Sequence, residues 1–176
     1  DEVKRKCADC GFVVINPNPM VTPMKSFSAH GRKPEKPAEL IELTNRAIMM
    51  GATEAALIPS AEIRIETELA ELCYGNPPCE NLGKAPSCPP YVEGPEGFIK
   101  WRDKSPYTIV LRIDVPSEVM FSVERREVMQ LLQENLATIE HAAINLGYAQ
   151  SKAFAGGSCK RIWCYNHTTC PVLTEN

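Results

Sequence analysis

Long hydrophobic runs are missing from this chain. The most continuous apolar stretch, Tyr107 to Leu111, is far shorter than the roughly 18 residues that a membrane-crossing helix requires, so a soluble protein is expected. A strong positive charge is missing too. With a net charge of -3 there is no field to gather phosphates along a groove, and nucleic acid is not an expected partner. Neither a P-loop nor a G-x-G-x-x-G fingerprint is present, which leaves nucleotide binding without support, and no internal repeat of useful length appears. An initiator Met is absent at Asp1, so an upstream segment is expected to have been cut away, processed off or left outside this sequence, and neither a signal peptide nor its absence is readable.

What is present is ordinary globular composition: 44% apolar, 23% charged and 7% aromatic residues in 176. A single domain of this length buries about 70% of the surface its unfolded chain exposes, so it builds a core without covalent staples. The expected organisation is an irregular Cys-x-x-Cys arm over 1–37 and one cysteine-rich α/β domain over 38–176. Within the arm, Gly11 to Pro37 is rich in Pro, Asn, Ser and Lys, which favour turns and extended backbone.

Leu40, Ile41, Ala47 and Ile48 fall mainly on one face at helical spacing, and Gly51 supplies a stop, so a helix is expected from Ala38. Ala55 to Ile58 reads as a strand, and Ala61 to Leu72 as a second helix running into a cysteine segment. Tyr107 to Val115 is rich in β-branched and aliphatic residues and reads as a strand. Ser122 is placed to cap a long helix in which Val128, Leu131, Leu132, Leu136, Ile139, Ala143 and Leu146 keep an i, i+3, i+4 rhythm up to Gly147. Tyr148 to Ala155 reads as a strand delivering Gly156-Gly157 to a further cysteine segment. Alternating helices and strands favour a small α/β sandwich of a few strands with the cysteine groups on loops at one end.

The eight cysteines fall into three groups: Cys7 and Cys10; Cys73, Cys79 and Cys88; and Cys159, Cys164 and Cys170. At below 5% of the chain they are too sparse for a disulfide scaffold, and their short spacing beside Gly and Pro points to thiolates converging on a metal. Disulfides remain an alternative through the even count, the missing N-terminus and the Asn166-His167-Thr168 glycosylation sequon. Cys7-Ala8-Asp9-Cys10-Gly11 is a metal knuckle, but no second C-x-x-C completes it, so it must borrow ligands or stand idle.

In the central group, Pro89 follows Cys88 as proline follows a ligand cysteine in iron–sulfur runs, where it removes a donor and turns the chain away. The last group also ends in Cys-Pro, at Cys170-Pro171. Eight thiols suit two Cys₄ clusters, or one cluster and a zinc site, and only geometry separates these. Lys160 and Arg161 either offset a cluster's negative charge or are solvated surface charges. His167 lies between Cys164 and Cys170 and reads first as a loop histidine, with ligation as the alternative; His30 and His141 read as structural or exposed.

The Cys79-x₈-Cys88-Pro-Pro string, with Gly83-Lys84 inside it, and the Ala155-Gly-Gly-Ser-Cys159 string resemble the motifs of a prokaryotic family of predicted metal-binding proteins with no established reaction. The resemblance covers about Ala38 to Cys170 and implies a thiolate metal site. Leu82 stands where that family usually has Tyr, the chain stops at Asn176 where relatives continue, and the Cys159-x₄-Cys164 spacing is looser than its pattern.

All eight cysteines are therefore candidate metal ligands, with Cys73, Cys79, Cys88, Cys159, Cys164 and Cys170 as candidates for an iron–sulfur cluster. One or two clusters, [4Fe–4S] in type, are expected, with zinc as the alternative at one site. The leading expectation is electron transfer, or a cluster-bearing subunit of an anaerobic, cytoplasmic redox system with a redox partner protein. A Lewis-acid enzyme with an open iron, a zinc-stabilised interaction module and an extracellular disulfide-bonded protein are the alternatives.

Overall fold

The computed structural model describes the backbone of residues 10–15 and the whole of residues 36–174. Its strands are β1 (Cys10–Ile15), β2 (Glu54–Pro59), β3 (Tyr107–Arg112) and β4 (Lys152–Ala155). Its α-helices are α1 (Ala38–Met49), α2 (Gly94–Lys104), α3 (Ser117–Met120), α4 (Arg125–Asn145), α5 (Cys159–Ile162) and α6 (Pro171–Thr174). The fold mixes helix and strand, as expected. Among the described residues no helix is long and apolar enough to cross a membrane.

The strands form one antiparallel sheet in the order β2-β3-β1-β4. Side chains alternate across a strand, so Ile109 and Leu111 share a face of β3 with their partners Leu57 and Ala55 on β2. That face carries α1 and α4, whose Leu40, Leu43, Ala47, Leu132, Leu136 and Ile139 join Leu57, Ile109 and Leu111 in the core. Thr108, of opposite parity, is also buried and shares a 2.7 Å hydrogen bond with Ser60. Beyond it α2 packs on the turns that follow β2, and its Phe98 meets Phe154 of β4 edge-to-face at 4.8 Å.

The first expected helix is present and ends where Gly51 takes a left-handed φ of +101°. The strands expected at Ala55 to Ile58 and from Tyr107 are present as β2 and β3, β3 closing at Arg112, three residues early, because Asp114 turns away to donate its N–H to the Thr53 hydroxyl at 2.8 Å. The long helix begins at Arg125; Ser122, two residues before the cap residue Glu124, accepts the Glu124 N–H at 3.1 Å. Its buried stripe is Met129, Leu132, Asn135, Leu136, Ile139 and Ala143, whereas Leu131 and Leu146 lie on its flanks. The last strand is shorter than expected, because residues 148–150 precede it as a turn in which Ser151 N–H bonds to the Tyr148 carbonyl.

Three readings require correction. Cys10–Ile15, placed by sequence in an irregular arm, is an inner strand bonded to both β3 and β4; its Phe-Val-Val-Ile run has the composition of a strand. Ala61 to Leu72 is not an α-helix but two short 3₁₀ segments, Ser60–Glu62 and Thr67–Cys73, the second with no buried residue. Without an apolar face to pack, and with Ile63, Ile65 and Thr67 stiff at Cβ, nothing stabilises a regular helix there. Finally, α2 was not anticipated, although Pro95 in its first turn and Arg102 and Lys104 in its last are conventional end signals.

Candidate metal centre

The first cysteine loop is a chain of tight turns. The Cys79 N–H donates to the Cys73 carbonyl at 3.1 Å, the Leu82 N–H to Cys79 at 3.0 Å, and the Cys88 N–H to Ala85 at 3.0 Å. Gly83, with φ +70°, donates to the Pro89 carbonyl at 2.8 Å and so folds the loop back on itself over the wholly buried Ala85. The Asn76–Pro77 and Pro89–Pro90 peptide bonds are cis. Burial pushes the Cys73 thiol up from its ordinary value, and negative charge at Cys79 and Cys88 pushes it further.

The second loop leaves β4 through Gly156-Gly157. Ile162 plugs it into the core, and the Trp163 indole N–H donates to Gln133 of α4 at 2.9 Å. Lys160 donates to the carbonyls of Cys164 at 3.1 Å and His167 at 2.5 Å, closing the loop between them. The Lys160 ammonium thus braces the loop's backbone. The Thr174 hydroxyl donates to the Cys170 carbonyl at 3.1 Å.

Two contacts join the loops. The Cys159 N–H donates to the Ser87 hydroxyl at 3.1 Å, beside Cys88, and the Arg161 guanidinium pairs with Glu80, beside Cys79. Between them lies an open groove of about 280 Å³ whose walls include Lys84, Lys160, Arg161 and His167. The first position of β1 is Cys10, and its neighbour Gly11 is paired with Ala155, the last residue before the second loop's turn. The backbone of Cys10 thus stands at the sheet end from which the Cys159 segment departs.

All six cysteines from Cys73 to Cys170 are free thiols: Cys170 is buried, Cys79 exposed, and Cys73, Cys88, Cys159 and Cys164 are half-buried. Among the described residues no three His, Cys, Asp or Glu side chains stand close enough together to hold a metal ion. The thiols are gathered on two joined loops without being closed on a point. Cys7 and His30 lie outside the described residues, and His141 is exposed on α4. His167 is exposed in the groove wall. Ser87 and Glu80, which join the loops, were not singled out by sequence reasoning; the available signal was their position next to Cys88 and Cys79.

The donor set is chemically uniform. Six sulfurs on two neighbouring loops suit a soft or borderline metal or an iron–sulfur cluster, and the nearby Lys84, Lys160 and Arg161 suit an anionic metal–thiolate centre.

No curated protein and no solved structure matches the chain. A family model does, over residues 56–176, a span that contains all six loop cysteines and excludes Cys7 and Cys10. The match covers more than half of the chain, which therefore belongs to the family described as Predicted metal-binding protein (DUF2284).

Proposed function

We propose that this metal-binding protein carries an iron–sulfur cluster and transfers electrons, on its own or as the cluster-bearing subunit of a redox system with a partner protein. The observation that carries the reading is the joining of the two cysteine loops through Cys159 N–H and Ser87, which brings the backbone of the loop that carries Cys159 to the loop that carries Cys88. Cys73, Cys79 and Cys88 supply one side of the centre, and Cys159, Cys164 and Cys170 are the candidates for the other. A bound cluster supplies reversible one-electron chemistry.

The chain's own groups do the rest. Turn backbone around Cys79 and Cys88 holds the thiols in place, and the cationic groove wall lowers the cost of concentrating thiolate charge. Thiolate ligands on two separate loops couple metal binding to the ordering of both. Cys10 is a candidate for a second centre with Cys159 and Cys170, supported by its place at the same sheet end; Cys7 goes with it by sequence alone.

The test is iron, zinc and acid-labile sulfide content per chain after anaerobic purification, in the native protein and in Cys79→Ala and Cys88→Ala. Iron and sulfide in stoichiometric amounts, lost in both variants, are expected. Full retention in both variants, or zinc without sulfide in the native protein, overturns the reading.

A further inference from the structure

A second cavity, of about 210 Å³, opens between the start of α4 and the turn that leads into the second cysteine loop. Arg125 and Arg126 line it, with Ser158, Met129 and Ile162. They are the first two residues of a 21-residue helix, where unsatisfied N–H groups already leave a positive end. Cations at that position oppose the helix dipole, so consecutive arginines there raise a potential that packing alone gives no reason to build.

Among the described residues no ion pair engages Arg125 or Arg126, although both are half-buried. The Arg126 guanidinium lies 4.0 Å over the centre of the Tyr165 ring. That stack fixes the plane of the group and leaves its edge N–H donors available. Ser158 is only 6% exposed, and its hydroxyl has no hydrogen-bond partner. That oxygen is itself closed to water, so the donors open to the cavity are those of the arginines. Gly157 takes a left-handed φ of +84°, and a Cβ there would stand 3.2 Å from Met129 Cε, so bare backbone forms this side of the cavity.

We propose that this cavity binds a phosphate monoester with a small apolar body. Two unpaired guanidinium groups match the charge of a dianion, and their planar fork matches phosphate oxygens. Met129 and Ile162 offer the organic part an apolar wall. The proposal stands apart from the metal reading, since no cysteine lines the cavity.

The experiment is a calorimetric titration of the full-length protein, as isolated, with phenyl phosphate, inorganic phosphate and benzoate at low ionic strength. Phenyl phosphate should bind more tightly than either of the other two. Arg125→Gln and Arg126→Gln should each weaken phenyl phosphate binding about tenfold or more, with circular dichroism and metal content unchanged. Lys84→Gln, in the neighbouring groove, should bind as the native protein does. No binding of phenyl phosphate, equal binding in the arginine variants, equal weakening by Lys84→Gln, or benzoate binding as tightly as phenyl phosphate each overturns the proposal. Loss of iron from Cys79→Ala leaves this result untouched, which separates the two readings.

Discussion

The backbone N–H of Cys159 donates to the Ser87 hydroxyl at 3.1 Å, a bond between residues 72 apart in sequence that ties one cysteine loop to the other. The bond is exposed to water, so its worth to global stability is small. Ser87→Ala is expected to change stability by about 1 kcal/mol or less. Its larger effect is on the site: released from Ser87, the second loop yields metal to a chelator faster. Stopped-flow chelation of the two proteins checks this, and equal rates would show that the bond does not hold the site together.

Asn135 is fully buried on α4 and donates its side-chain amide to the Ala47 carbonyl at 2.8 Å. Its own Oδ1 has no partner, and Ala47 also accepts the Ala52 N–H at 3.0 Å. Asn135→Ala therefore removes a bond and opens a cavity, at a cost of about 1–3 kcal/mol. Asn135→Leu fills the space and removes the unpaired oxygen while leaving Ala47 one donor, so it should cost less than the alanine variant. Urea midpoints of the three proteins give the order; a leucine variant weaker than the alanine variant would contradict it.

Val13 pairs with Ile109 on one side and Ala153 on the other. Proline at an inner strand position cannot donate to the ladder. Val13→Pro is expected to loosen β4 and to make residues 156–170 protease-sensitive, with the cuts read by mass spectrometry. A cleavage pattern identical to that of the native protein would mean that β1 does not hold β4 in place.

The Tyr148 hydroxyl donates to Glu39 at 2.9 Å, and burial, this hydrogen bond and the Glu39 charge push its phenol up from 10 to about 12. The folded state thus favours the neutral phenol. Between pH 10 and 12 the unfolded chain loses this proton while the folded one keeps it, so stability falls as pH rises through that window. Tyr148→Phe should show a shallower decline between pH 10 and 12, measured by urea denaturation at each pH. Identical slopes would contradict the assignment.

The elements legible in the sequence were those where one local rule decides. Leu40 and Ala47 recur at helical spacing before Gly51, and Tyr107 to Leu111 is a β-branched and aliphatic run, so α1 and β3 were readable. Strand β1 was hidden because its Phe-Val-Val-Ile run stands between a cysteine knuckle and a proline-rich stretch, and those neighbours dominated the reading. Asn135 was invisible because its partner lies on another helix: no spacing rule predicts a buried amide within an apolar stripe. The grouping of the cysteines was plain from their spacing. What joins the groups, Ser87 with Cys159 and Glu80 with Arg161, depends on tertiary approach and carries no local pattern.

The sheet order also sets a timetable for synthesis. Among the described strands β1 is translated first and its partners β3 and β4 last, with Cys10 waiting for Arg112 and Gly11 for Ala155. The thiols of Cys73, Cys79 and Cys88 are translated before either partner strand, so a nascent chain presents soft ligands while its sheet is still open. Pairings this distant along the chain are slow to form. Cofactor delivery after β4 has been translated suits this order of events: only then does β4 bring the Cys159 segment to the first loop.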